Sequence, residues 1–439
     1  MKVLLVWPTG MRGATLTDHC VFPLGLGYVL NAARGVPGVD VAILDAALDG
    51  REPADIAAVL AGVDVVAVSC WGFNLANVQA TIAAVRAHSD AVVVAGGPSA
   101  HLAPADHVIL GEGELAFAAL LQALVTDRNA PPAVPGVQRG GEPAAFPKSF
   151  TADLDSFGLI DYAALRLDDY LAAGYKDWMY TLKDKRRAAP LMVTRGCPYS
   201  CGYCQGPLVM GHRIRKHSPE YVIATLDGLH ERHGIRQFGI LDDNFTFDVA
   251  FAKTVCEAII RHRERTGRDF LMTTVNGVRV GKLDDELLAL MKRAGWNEIV
   301  ISPESGSPRT LRRMRKRMDL DDVVRKIAMV HRNGMNIVGN FMCGYPGETP
   351  EDLELTRRFI VDNAFDRCNV SIFNPIPGTP IHEELLELGE IDATPRKIDY
   401  KAIGYLAEDL TREDLLGFVE AVRVKTQFRE MWIKDLVPC

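Results

Sequence analysis

Thr194-Arg195-Gly196-Cys197-Pro198-Tyr199-Ser200-Cys201-Gly202-Tyr203-Cys204 follows the apolar run Leu191–Thr194, which opens a series of alternating strand and helix patterns. Spacings of four and three residues do not set three thiolates on one helix face with the wrap a metal needs. The stretch therefore reads as a loop folded round a metal. Nine cysteines in 439 residues are too sparse for a disulfide scaffold, and three of them fall within eight residues. Three soft thiolates select zinc or iron–sulfur. A structural zinc site wants a fourth ligand, for which His212 is the nearest convenient histidine. A cubane held by three cysteines instead keeps one iron open for a small molecule.

Downstream, strand-like runs lie at Gln237–Leu241, Phe270–Thr274, Glu298–Ile301, Asn336–Met342 and Asn369–Phe373, with helical patterns between them. Ser218-Pro219 and Thr349-Pro350 each place a capping side chain before a proline at the first helical position. Six βα units suit a partial barrel better than a closed eight-stranded one. Upstream, Val3–Trp7, Val39–Leu44, Val63–Ser69, Ala91–Ala95 and Val108–Leu110 alternate with amphipathic stretches, the pattern of a parallel doubly wound sheet. Between the two arrays, residues 128–147 hold five prolines and three glycines, and Gly140-Gly141 has the form of a hairpin turn. The fold class is thus α/β: a Rossmann or flavodoxin-like doubly wound sheet at 1–127, a linker and connecting layer at 128–188, a partial (β/α)6 barrel at 189–388 and a small C-terminal extension at 389–439.

With 48% hydrophobic and 24% charged residues, disorder and fibre are excluded, and a net charge of −7 supplies no overall field for a polyanion, so nucleic acid is not an expected partner. No stretch approaches the ~18–20 uninterrupted apolar residues of a membrane span, and no secretory leader is read at Met1–Trp7. The expectation is a cytoplasmic protein with a small-molecule substrate.

Cys197-x-x-x-Cys201-x-x-Cys204, with the aromatic Tyr203 before the last cysteine, resembles the signature of radical S-adenosylmethionine enzymes. The resemblance implies a [4Fe-4S] cluster on those three cysteines, S-adenosyl-L-methionine on the open iron, a 5′-deoxyadenosyl radical, and a low-potential electron donor of flavodoxin or ferredoxin type. It implies cofactor contacts at Asp242 and Asp243, with helix capping as the alternative. It implies others at Ser302 and Glu304, with capping by Ser305 or Ser307 as the alternative. Arg309 to Arg317 carries six cations in nine residues; Arg315 or Lys316 is the candidate for the carboxylate, and a solvated face is the alternative. Gly344 lies in a later strand-end turn of the kind that approaches adenine. Cys20, Cys70, Cys256, Cys343, Cys368 and Cys439 have no ligand spacing and read as buried or inert thiols.

In the first domain the strand-end loops Thr9-Gly10, Ser69-Cys70-Trp71-Gly72, Gly96-Gly97-Pro98 and Gly111-Glu112-Gly113-Glu114 should share one sheet edge. Their order resembles the cobalamin-binding domain fused to one branch of these radical enzymes. The sequence has no Asp-x-His-x-x-Gly, so that motif offers no histidine to cobalt, and Trp71 becomes the candidate for the ring beneath the metal. The alternative is that Trp71 and Phe73 pack on the sheet. The activity implied is methyl transfer from methylcobalamin to an unactivated carbon. Two alternatives stand beside it: a non-methylating cyclisation or rearrangement, and a first domain that has lost the corrin. Tyr175, Trp178 and Tyr180 are candidate pocket aromatics.

Overall fold

A computed structural model describes residues 1–9, 21–128, 133–141, 148–173, 187–392 and 403–423. The chain divides into two compact units, one of Met1–Tyr175 with Gln205–Arg215 and Asp392–Ile398, the other of Lys176–Cys204 with Lys216–Ile391 and Asp399–Cys439. No helix of the described residues is long and apolar enough to cross a membrane.

The first unit is built on β1 (Lys2–Trp7), β2 (Asp40–Asp45), β3 (Val65–Ser69), β4 (Val92–Gly96), β5 (His107–Ile109) and β6 (Val137–Arg139), in the order β2-β1-β3-β4-β5-β6. All pairs are parallel except β5 with β6. The helices are α1 (Leu24–Arg34), α2 (Ala46–Asp49), α3 (Leu75–His88), α4 (Gly113–Thr126), α5 (Leu167–Ala172) and α6 (Gly206–Met210). Continuous Val/Leu/Ile/Ala runs form the central strands because helices cover both faces. Val66, Val68, Val93 and Ala95 join Val78, Ile82 and Val85 of α3 in one core cluster. The strand order reverses between β1 and β3, so their carboxyl ends border the crevice where doubly wound folds place ligands.

The expected linker is largely structural. Val137, Gln138 and Arg139 pair antiparallel with β5, so Gly140 follows a sheet strand; a Cβ there would fall 1.8 Å from the Ala105 carbonyl oxygen. Asn31 donates to the carbonyls of Phe157 and Leu159 at 3.1 and 2.8 Å, and Tyr170 donates to Asp45 at 2.6 Å. These bonds tie the segment into the first unit.

In the second unit β7 (Ala188–Leu191) is followed by the two-residue strands β8 (Thr194–Arg195) and β9 (Arg215–Lys216), the latter at the junction of the units. Then come β10 (Gln237–Ile240), β11 (Leu271–Thr274), β12 (Glu298–Glu304), β13 (Asn336–Cys343) and β14 (Arg367–Ile372). Two parallel three-stranded sheets, β11-β10-β7 and β12-β13-β14, are joined by the parallel bridges Met272 to Trp296 and Val278 to Ile301. The result is a curved run of six parallel strands. Their connections carry α7 (Pro219–His233), α8 (Val249–Thr266), α9 (Asp285–Ala294), α10 (Pro308–Arg313), α11 (Leu320–Arg332) and α12 (Pro350–Asp362), with α13 (Pro380–Glu387) and α14 (Arg412–Arg423) following. Ser218 caps α7 by accepting from Tyr221 N, and Thr349 and Asp352 form a capping box on α12. The strand expected at Leu191–Thr194 sits three residues earlier. Pro190 is admitted because β7 is an edge strand, where a missing ladder donor costs little. The C-terminal segment is integral to this unit: Tyr405, Leu410, Leu415, Phe418 and Val422 share a core with Phe341, Cys343 and Ile372.

Candidate functional site

Cys197, Cys201 and Cys204 form no disulfide among the described residues and are half-buried, on the loop that follows β8. Burial pushes the Cys197 thiol up; the Tyr199 amide and Lys316 act against this, while Asp243 and Cys201 add to it. Among the described residues, no three His, Cys, Asp or Glu side chains gather closely enough to hold a single metal ion, and His212 is exposed. A cubane spreads its thiolates over separate irons and so asks for wider spacing than one zinc ion does.

The loop is held from β12 and the turn after α10. The Tyr203 hydroxyl donates to Glu304 Oε1 at 2.9 Å, and Lys316 Nζ donates to both that oxygen and the Tyr203 hydroxyl at 2.9 Å. Gly202 N donates to the Met314 carbonyl at 2.9 Å, and Ile381 N donates to the Gly202 carbonyl at 3.0 Å. The Arg279 guanidinium lies 4.1 Å over the Tyr199 ring and donates to the carbonyls of Lys316 and Arg317. Glu304, Arg315 and Arg317 have φ of 70°, 54° and 46°. Such left-handed backbone is rare in residues with a Cβ and persists where the surroundings enforce it.

Several expectations change here. Asp242 is buried and accepts from Val193 N, Thr194 N and Thr194 Oγ1 at 2.8, 2.7 and 2.7 Å. It thus buckles the segment leading into the cysteine loop and caps no helix; Asp248 caps α8 instead. Burial raises its carboxyl to about 7 against those donors. Asp243 is exposed and close enough to Cys197 to raise its thiol. Arg315 is exposed, whereas Lys316 is buried against Glu304, so Lys316 is the cation at the loop. Ser305 accepts from Ser307 N, and Ser307 caps α10, as the capping alternative expected, while Glu304 points to the cysteine loop. Ser302 ends a polar rail across three strands: Asn369 donates to Asn340 Oδ1 at 2.8 Å, and Asn340 donates to Ser302 Oγ at 3.2 Å. Sequence reasoning missed this rail, although each asparagine interrupts a largely apolar strand. It also missed Arg279, which no motif marks.

Gly344, at φ 81°, turns the chain after β13 and donates to Glu348 Oε2 at 2.7 Å; a Cβ there would meet Leu415 at 3.3 Å. Glu348 also accepts from Tyr345 N at 3.3 Å, and its other oxygen has no partner among the described residues. Burial raises its carboxyl to about 8, with Asp352 adding and the two amides and Arg309 opposing. The folded state therefore keeps a proton that the unfolded chain releases from about pH 4.5, so this group's contribution to stability falls as pH rises from there to about 8. Glu348→Gln keeps an acceptor for the two amides and removes the titration. Its Tm relative to the wild type should climb across that window and level off above it. A difference flat with pH would refute this.

At the carboxyl edge of the first unit's sheet, Thr9 Oγ1 accepts from Asn77 Nδ2 at 2.8 Å across the β1/β3 crevice. Gly10, like Cys20, Cys439, Tyr175, Trp178 and Tyr180, lies outside the described residues. The half-buried Trp71 donates its indole N–H to Ser69 Oγ at 3.3 Å and stacks on Phe73 with centroids 5.7 Å apart. Gly72, Gly96, Gly97 and Pro98 are half-buried beside it. Gly97, at φ 108°, presses on the β3 loop so closely that a Cβ would stand 2.6 Å from the Cys70 carbonyl oxygen. Gln205 donates to the Pro98 carbonyl at 3.4 Å. Glycine backbone and a stacked ring pair make a surface suited to a flat macrocycle.

The Gly111–Glu114 turn is tied into its own unit by a buried ion pair. Glu112 is buried, accepts from Thr151 N at 2.7 Å and pairs with Arg215 Nη1 at 2.5 Å, and Arg215 also donates to the Thr151 carbonyl at 2.8 Å. Gly111, at φ 87°, bridges to Ser149, and Glu114 is buried in the first turn of α4. Cys70, Cys256, Cys343 and Cys368 are buried, as expected of inert thiols, and burial lifts Cys70 to about 12.

Residues 191–360 match the Radical SAM superfamily, and residues 14–121 match the B12 binding domain. An uncharacterized methyltransferase of Pyrococcus horikoshii is 29% identical over 87% of this chain and 83% of its own. The cytidylyl-2-hydroxyethylphosphonate methyltransferase of Streptomyces wedmorensis is 27% identical over 89% of this chain and 83% of its own. An anaerobic magnesium-protoporphyrin IX monomethyl ester cyclase of Cereibacter sphaeroides is 25% identical over 95% of this chain and 69% of its own. Among solved structures, the radical S-adenosylmethionine methyltransferase TsrM of Kitasatospora setae, with cobalamin and a [4Fe-4S] cluster bound, is similar at TM-score 0.73 and 17% identity, covering 97% of this chain and 88% of that one. The cobalamin-dependent radical enzyme OxsB follows at TM-score 0.64 and 16% identity, covering 97% and 61%.

Proposed function

We propose that this chain, a radical S-adenosylmethionine enzyme carrying a B12-binding domain ahead of its barrel, transfers a methyl group from methylcobalamin to an unactivated carbon of a small molecule. Its cofactors are a [4Fe-4S] cluster, S-adenosyl-L-methionine and cobalamin. The observation that carries the reading is the half-buried trio Cys197, Cys201 and Cys204, tied through Tyr203 to Glu304 and Lys316 at the strand ends of a six-stranded barrel.

When bound, the cluster supplies the electron that splits the sulfonium, and the corrin carries the methyl group. The chain's own residues bind and orient. The three thiolates hold three corners of the cluster. Lys316, already desolvated beside Glu304, offers a cation to the methionine carboxylate, and the exposed Asp243 offers an anion to its amino group. The rail Ser302, Asn340 and Asn369 presents hydroxyl and amide groups for the ribose, and the Gly344 turn lets backbone approach adenine. In the first unit, Trp71, stacked on Phe73, is the residue that would cover the corrin and keep water from its metal. Trp71→Ala should weaken corrin retention about three- to tenfold, the worth of one aromatic contact, measured by absorption after anaerobic gel filtration. Unchanged retention would return Trp71 to sheet packing.

The test of the whole reading is anaerobic reconstitution with iron, sulfide and cobalamin, followed by product analysis. A methylase forms S-adenosylhomocysteine and 5′-deoxyadenosine in comparable amounts. Similarity to the Cereibacter sphaeroides cyclase over 95% of this chain supports a second reading, a ring-forming reaction, which makes 5′-deoxyadenosine without S-adenosylhomocysteine. Zinc without iron would defeat both.

A further inference from the structure

The six cations of residues 309–317 have unequal fates. Arg309 pairs with Asp352, Arg313 with Glu384, and Lys316 is buried against Glu304. Arg312, Arg315 and Arg317 are exposed, and none of the three is ion-paired among the described residues, although Arg315 lies near the Glu384 that Arg313 holds. A solvated helix face needs no special backbone, yet Arg315 and Arg317 are both left-handed. Arg279 enforces that turn by donating to the carbonyls of Lys316 and Arg317. The same turn is bonded to the cysteine loop at two points, Met314 to Gly202 and Lys316 to Tyr203, and Arg279, which holds the turn, lies over Tyr199 of that loop. Three unmatched cations are thus displayed where the cysteine loop is anchored, on a chain whose net charge is −7. Such a local reversal attracts an anionic partner that the remaining surface repels, and fixes where it lands.

We infer that Arg312, Arg315 and Arg317 are the docking surface for a small acidic one-electron carrier protein; this rests on the radical-enzyme reading above. For a flavoprotein donor, the anionic flavin hydroquinone loses one electron and becomes the neutral semiquinone, no proton moves, and the cluster held by Cys197, Cys201 and Cys204 takes that electron.

The test compares the reconstituted wild type with Arg312→Glu/Arg317→Glu, using an acidic flavodoxin as the probe. Calorimetric binding of oxidised flavodoxin, which needs no turnover, should weaken about tenfold or more in the variant, and wild-type binding should weaken with added salt. Stopped-flow reduction of the cluster by reduced flavodoxin should slow by a similar factor, while reduction by dithionite stays the same. Equal flavodoxin binding by the two proteins overturns the proposal. Loss of dithionite reduction in the variant also overturns it, because the site and not the dock has then been damaged. A wild type that dithionite cannot reduce fails the enzyme reading itself, and the docking surface with it.

Discussion

Cys201→Ala is expected to yield a folded chain that retains no iron–sulfur cluster and forms no 5′-deoxyadenosine. Two thiolates leave two corners of a cubane to solvent, and cluster affinity depends on the full set of deprotonated ligands. The fold should survive because Cys201 is half-buried and contributes no core packing. The loop keeps its remaining ties: Gly202 to Met314, Ile381 to Gly202, and Tyr203 to Glu304. Circular dichroism and Tm should therefore change by no more than ~1 kcal/mol in stability terms. Cys368→Ala supplies the contrast, since that thiol is buried in the core of the second unit. It should cost about 1 kcal/mol for the lost packing and leave iron and sulfide at wild-type levels. Iron retained by Cys201→Ala, or lost from Cys368→Ala, would show that the metal sits elsewhere.

That contrast marks what could be read from residues in order along the chain. Apolar runs separated by capped helices fix element type, because burial of a strand on both faces demands continuous Val, Leu and Ile; hence β1 to β5 and the six barrel strands were legible. Cys197, Cys201 and Cys204 were legible because thiolates are rare and their spacing is local. Carboxylates are ambiguous, since the same Asp or Glu caps, buckles or binds according to what lies opposite. Asp242 meets Val193 and Thr194, forty-nine and forty-eight residues away, and Glu112 meets Arg215 across 103. Neither partner announces itself by spacing. The lone Arg279 is equally silent, because stacking on Tyr199 and donation to Lys316 depend on a turn that exists only in the folded chain. The strand inside the linker is silent for a related reason: its prolines and glycines describe how the chain bends, not that Val137–Arg139 then pairs with β5.

Arg215→Met should destabilise the first unit by roughly 3–5 kcal/mol, because it strands Glu112 as an unpaired buried charge. Arg215 side-chain exposure is 7% and that of Glu112 is 3%, so water cannot replace the lost partner. Its bonds to Thr151 and Met210 would go too, along with its contact over the Phe150 ring at 5.4 Å. The unfolding transition of that unit should drop by about 10 °C. Adding Glu112→Gln should restore most of the loss, since the amide oxygen still accepts from Thr151 N and no charge remains to be buried. The single variant Glu112→Gln separates this role from a corrin contact. If Glu112 acts through Arg215, it should unfold earlier than the wild type yet retain cobalamin normally well below its transition. Lost corrin at unchanged Tm would instead put the Gly111–Glu114 turn back at the cofactor, where its place at a strand end had first suggested it belonged.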